Sequence, residues 1–301
     1  MSAGRSRRRG PGLAAAALGS AALAASLAAC SSTVATTQAT DTVEKSLPTS
    51  AAQVDIEMFN GSIEVRAGPA GAISATVTRT GTGPDQAAAL ADAQKIDVTL
   101  TESGTTVLLK ATYTPDPARP DRRGASAVVT VPAGSVLVLK TSNGPVTVGG
   151  ISGTVVADTS NAAITASGPM EAFRAKTSNG KVSVTGGQGL VSLETSNAGI
   201  DVQATDAIVQ AETSNGGITF KGSLANGSSR LQTSNAAVSV TLPKDAALTL
   251  DAETSNAKIS SDFPISGATS TQDRVSGTIG GGSGATLVID TSNGSISLVA
   301  S

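Results

Sequence analysis

One tetrapeptide governs what this chain can fold into. TSN followed by Gly or Ala recurs at Thr141, Thr159, Thr177, Thr195 and Thr213 with a fixed step of 18 residues, then at Thr233, Thr254 and Thr291 with steps of 20, 21 and 37. A motif that carries chemistry occurs once or twice in a chain, whereas a repeat at near-constant spacing describes architecture. Around each copy, apolar residues alternate with polar ones, as they do along a strand with one buried face. Leu137 and Leu139, Val155 and Ala157, Val191 and Leu193 precede the motif on one parity. Val146 and Val148, Ile164 and Ala166, Ile200 and Val202 follow it. A Gly-rich or polar turn such as GGISG or GGQG closes each unit.

Strand, Asn corner, strand and second corner make one coil. The spacing therefore predicts an all-β fold, a single-stranded, right-handed parallel β-solenoid of about 18-residue, two-strand coils, with each unit pairing to the next in sequence. The parity places Thr141, Thr159, Thr177, Thr195, Thr213, Thr233, Thr254 and Thr291 in an inward structural column. It also turns Asn143, Asn161, Asn179, Asn197, Asn215, Asn235, Asn256 and Asn293 inward, where stacked amides would satisfy one another as an Asn ladder. Ser and the charged residue before Thr face out. Lys140, Asp158, Lys176 and Glu194 then alternate in sign along one outer column, and Thr147, Thr165, Ser183, Asp201, Thr219 and Ser239 form another.

Residues 51–135 precede the regular coils and read as an N-terminal cap with first coils. Asn60-Gly61 opens an early coil that lacks the Thr-Ser pair. Residues 83–94 (GPDQAAALADAQ) predict a short helix, and KIDVTLTESGTTVLLKATY predicts a hairpin about Ser103-Gly104. Residues 115–124 read as a surface loop. Within the repeat region 136–301, residues 260–285 break the rhythm and are expected to fold over the C-terminal edge, since open strand edges need cover.

The first 29 residues read as a lipoprotein signal peptide. A basic stretch with Arg5, Arg7, Arg8 and Arg9 leads into an Ala-rich apolar segment ending in LAAC, and Cys30 is the only cysteine. LAAC resembles the lipobox of bacterial lipoproteins, which implies lipidation at Cys30 and a cell-membrane, extracytoplasmic location. Either the general or the twin-arginine export route fits. Residues 30–50, rich in Ser and Thr, read as a flexible tether. Loss of residues 1–29 removes four arginines and no acid, moving the formal charge from −2 to −6, which argues against nucleic acid as a partner.

FNGSIEV, VVTVPAG leading into VLVLKTSNG, the repeated TSNG coils and the closing SGTIGGGSGATLVIDTSNGSISL resemble the bacterial putative-adhesin β-strand-repeat family, over residues 50–301. That resemblance implies a cell-surface β-solenoid. Function is then expected to be non-catalytic: an adhesin or scaffold presenting an extended face to a surface protein or glycan, without cofactor or metal. A polysaccharide-active β-helix enzyme is the first alternative, but the chain has no His, no Trp and one Tyr, so acid–base and sugar-stacking groups are scarce. Ice or crystal-surface binding through the outward hydroxyls is the second.

Overall fold

The computed structural model describes residues 36–113, 122–282 and 284–301. The signal peptide, Cys30 and most of the 115–124 loop lie outside the described residues. From Ser135 onward the alternation is realised as two stacked columns of parallel strands. One column contains Val136–Lys140, Thr154–Asp158 and Ala172–Lys176, with Ala157 opposite both Leu139 and Ala175. The other contains Val146–Gly149 and Ile164–Ser167, with Ile164 opposite Val146 and Val182. Further along, the second corner flattens, so that Val182–Glu194 and Ile200–Glu212 run as long strands with register shifts near Gly187 and Gly189. Between the columns lies a narrow core of Val, Leu, Ile and Ala, with Phe173 and Phe220 among its largest side chains. Stacking like upon like lets each buried methylene contribute about 0.8 kcal/mol without large aromatics.

The coils do not stack in strict sequence order at either end. Gln53–Glu57 lies between Thr106–Thr112 and Val136–Lys140, and Asn60–Gly68 lies between Gly124–Pro132 and Val146–Gly149. The first coil thus lies one layer inside: the chain goes on to build the cap, returns outside that coil and steps over it. The other end mirrors this. Ala285–Thr291 inserts between Gly227–Thr233 and Leu248–Thr254, and Ile296–Ala300 inserts between Val238–Leu242 and Ile259–Ser261. The expectation of consecutive pairing holds in the middle and is corrected at both ends.

Side-chain alternation gives the physical reason. In spatial order the outer column reads Lys110, Glu57, Lys140, Asp158, Lys176, Glu194. Sequence order would place Lys110 directly beside Lys140, and like charges opposite one another destabilise a sheet. Instead Glu57 separates them, with Lys110 Nζ 2.7 Å from its carboxylate.

The edges are closed by antiparallel strands. Ala72–Gly83 pairs with Gly124–Pro132, and Thr37–Pro48 pairs along the whole of Ala72–Gly83. This corrects the tether reading over Thr37–Pro48. Thr is β-branched and alternates here with Ala39, Val43 and Leu47, so the segment is strand-forming despite its polar composition. The predicted hairpin is Asp97–Ser103 with Thr106–Thr112. At the far end Arg274–Ile279 lies antiparallel on Leu248–Thr254 and carries Ser266–Ser270, as expected for the 260–285 insertion.

The helix is Gln86–Ala93, with Asp85 as its N-cap accepting from Ala88 N. It is tied down by a buried ion pair. Arg123 Nε donates to Asp92 Oδ2 at 2.6 Å, Thr82 N donates to the same oxygen at 3.0 Å, and Tyr113 OH reaches Oδ1 at 3.3 Å. The Arg123 guanidinium lies 4.5 Å from the centre of the Tyr113 ring. Burial pushes the Asp92 carboxyl up, but the hydrogen bonds from Arg123 and Thr82 and the Arg123 charge together hold it below its ordinary value.

Two outcomes follow. Deleting residues 284–301 removes an interior coil, so amide exchange should lose protection across Leu248–Thr254 and Ile259–Ser261 as well, although those segments remain in the chain. Because the folded Asp92 pKa is depressed, its stabilisation is present above about pH 4 and is lost as pH falls through the folded value. Denaturant midpoints should therefore drop less between about pH 5 and about pH 2 in Asp92→Asn than in the parent. Arg123→Met should cost about 3–5 kcal/mol at neutral pH by stranding the carboxylate.

Candidate functional site

The TSN corners form a continuous edge of the stack. Thr is buried, as the parity predicts, at every copy. Each Thr Oγ1 donates to the carbonyl of the Gly or Ala that follows Asn in the coil beneath: Thr195 to Gly180 at 3.0 Å, Thr213 to Ala198 at 3.0 Å, Thr233 to Gly216 at 2.8 Å. The Asn side chains are not inward. Asn143, Asn161, Asn179, Asn197, Asn215, Asn235, Asn256 and Asn293 are all exposed. The chain bends within the tetrapeptide, so period-two alternation resets: Ser and Asn both face out, and the next residue turns in.

The amides nevertheless stack. Asn161 Nδ2 lies 2.5 Å from Asn143 Oδ1, Asn179 2.7 Å from Asn161, Asn197 2.6 Å from Asn179 and Asn215 2.9 Å from Asn197. Asn235 follows at 2.8 Å, then Asn293 on Asn235 at 2.9 Å and Asn256 on Asn293 at 2.9 Å. At the other end Asn143 donates to Asn60, which the sequence places in an early coil but which lacks the TS signal. The residue after Asn supplies the clue to this order. In space it alternates Gly144, Ala162, Gly180, Ala198, Gly216, Ala236, Gly294, Ala257, because a Cβ on Gly180 would lie 1.7 Å from Ala162 O and one on Gly294 1.7 Å from Ala236 O. In sequence order Ala236 and Ala257 would be neighbours, so the insertion of the last coil was legible there.

Two outer faces flank the edge. On one, several charges pair with one another: Lys176 Nζ lies 2.6 Å from Glu194, Arg230 pairs with Asp290, and Arg274 Nη2 lies 2.6 Å from Asp251. The Asp251 carboxylate raises the Arg274 guanidinium pKa above its ordinary value. Glu194 and Glu212 are register neighbours on this face and line a shallow, open depression with Ser192, Gln210, Arg230 and Gln232. Among the described residues no cluster of three or more His, Cys, Asp or Glu could hold a metal.

The other face is hydroxyl-rich. Thr147, Thr165, Ser183, Asp201, Thr219 and Ser239 stand in register, and the inserted and end coils extend the column to Ser297 and Ser260. Sequence reading missed those two because the coils are out of order. A second column, two residues on, holds Ser167, Thr185, Gln203, Lys221 and Thr241. Neighbours within a column stand about 4.8 Å apart. Within the described residues the hydroxyls of Thr147, Thr165, Ser183, Thr219 and Ser239 have no hydrogen-bond partner.

The family profile of Toastrack DUF4097, a domain of unknown function, matches residues 51–299. The chain belongs to the Toastrack family. This is the family that the TSNG coils and the closing GTIGGG segment resemble. Among solved structures, a putative cell adhesion protein from Clostridium sporogenes ATCC 15579 is 8% identical, with 87% of this chain and 100% of that one covered and a TM-score of 0.29. A putative adhesin from Bacteroides fragilis NCTC 9343 is 10% identical, covering 86% and 97% at a TM-score of 0.35, and one from Parabacteroides distasonis ATCC 8503 is 7% identical, covering 86% and 97% at 0.32. No curated protein matches the chain. Among the described residues no helix is long and apolar enough to cross a membrane.

The Toastrack corner yields a ranked expectation. Thr195→Val leaves the Gly180 carbonyl without its side-chain donor and should cost about 1–3 kcal/mol. Asn197→Ala removes one ladder bond on each side and should cost about 1–2 kcal/mol. Ser196→Ala, on the exposed surface, should stay within about 0.5 kcal/mol. Urea midpoints of the three variants check the order.

Proposed function

We propose that the protein is a non-catalytic, lipid-held extracytoplasmic scaffold of adhesin type, and that its hydroxyl face is the binding surface. The carrying observation is the contrast between the two faces. On one, Lys176 with Glu194 and Arg230 with Asp290 pair along the column, whereas on the other the hydroxyls of Thr147, Thr165, Ser183, Thr219 and Ser239 have no hydrogen-bond partner among the described residues and are repeated in register over successive coils. A long flat array of that kind suits an extended, hydroxyl-bearing ligand such as a surface glycan, which many weak contacts would hold. Asp201, Gln203 and Lys221 interrupt the array with charge and amide groups, which suits a polar polymer better than an ordered water lattice. The lack of His and Trp in the sequence, around the open depression at Glu194 and Glu212, speaks against polysaccharide cleavage.

Acylation of Cys30 would anchor the chain.

Glycan arrays and intact cells probed with the mature protein test the binding claim. Thr165→Glu combined with Thr219→Glu should abolish retention, while Lys140→Glu on the opposite face should leave it unchanged. Equal retention of all three proteins would refute the hydroxyl-face reading. Cys30→Ala should move the protein from the membrane to the soluble fraction without altering glycan retention.

A further inference from the structure

The Asn edge contains a chemical weak point. In an Asn-Gly pair the backbone nitrogen of Gly can attack the Asn side-chain carbonyl, and nothing on Gly obstructs the approach. The ladder itself favours attack, because the Oδ1 of Asn143, Asn179, Asn215 and Asn293 each accepts a hydrogen bond that polarises its Cγ. Asn179-Gly180, Asn215-Gly216 and Asn293-Gly294 carry a safeguard. Their Gly N–H donates to the Oγ1 of the coil's own Thr: Gly180 to Thr177 at 3.2 Å, Gly216 to Thr213 at 3.3 Å and Gly294 to Thr291 at 3.1 Å. The Thr hydrogen is committed to the coil beneath, so a lone pair is directed at that N–H. Gly227, after Asn226, donates to Gly284 O at 3.0 Å. In the coils with Ala after Asn, the Cβ hinders the approach. Gly144 differs: among the described residues its N–H has no hydrogen-bond partner.

We propose that Asn143 is the deamidation site of the Asn ladder and that the motif's Thr protects Asn179-Gly180, Asn215-Gly216 and Asn293-Gly294. The Gly144 nitrogen loses its proton to solvent base and bonds to Asn143 Cγ, and the side-chain nitrogen leaves as ammonia. Water then opens the five-membered imide at either carbonyl, breaking one C–N bond and leaving Asp or isoaspartate. Nothing is oxidised or reduced. A carboxylate at 143 has no N–H for Asn60 Oδ1, so the ladder parts where the cap's interlocked coil meets the regular stack.

Peptide mapping of the full mature protein, aged in mildly alkaline buffer at physiological temperature, tests this. Isoaspartate should appear at Asn143 ahead of Asn179, Asn215 and Asn293. Thr177→Val should raise the rate at Asn179 about fivefold, the equivalent of one hydrogen bond of about 1 kcal/mol, while Thr177→Ser leaves it at the parent level. Equal rates at all these pairs, or Asn60 or Asn226 reacting before Asn143, would overturn the proposal. So would a folded Thr177→Val protein with an unchanged rate at Asn179. The comparison within the parent protein holds even if that variant does not fold.

Discussion

The structure depends on a hydroxyl that links one coil to the next. The Thr of each motif is buried beside a carbonyl of the coil beneath and donates to it, and at Thr177, Thr213 and Thr291 the same oxygen accepts from the Gly of its own corner. That arrangement fixes the height of each coil over the last and leaves the carbonyl against a position where alternate coils tolerate no side chain. Ser, Asn and the following residue are placed as a consequence. The exposed amide ladder is thus a product of the buried register.

Register also explains how the ends are made. A stack of identical coils would finish in open strands that invite further pairing. This chain places its N-terminal coil and its C-terminal coil one layer inside and spends intervening segments on the outermost layers. Asp97–Ser103 and Thr37–Pro48 form the edges at one end, and Ser266–Ser270 and Ile259–Ser261 those at the other. Asp97–Ser103, Ser266–Ser270 and Ile259–Ser261 are therefore held on both sides in sequence, and Thr37–Pro48 is held by pairing along the whole of Ala72–Gly83. The buried Asp92–Arg123 pair closes the N-terminal cap in the same spirit, fastening the helix to the strand that begins at Gly124.

Much of this was legible. The parity of Leu137, Leu139, Val146 and Val148 gave two strands and a core, and the hairpin at Ser103-Gly104 and the helix after Asp85 follow from ordinary local signals. Three features escaped for definite reasons. The Asn orientation was misread because a bend inside TSN resets the alternation. Thr37–Pro48 reads as part of a tether because Ser/Thr content obscures its β-branched pattern. The coil order was missed although Glu57 between two lysines and Gly294 between two alanines both encode it, since charge and size complementarity act between spatial neighbours rather than sequence neighbours. The hydroxyl face was visible only in part, as its last members belong to the displaced coils.

Side-chain amide contacts in solution offer the most direct test of the account. With the Asn amide protons assigned by NMR, nuclear Overhauser effects should connect Asn293 to both Asn235 and Asn256, and Asn143 to Asn60. Contacts between Asn235 and Asn256, with Asn293 seen only beyond Asn256, would show a stack in plain sequence order and contradict the interlocked structure.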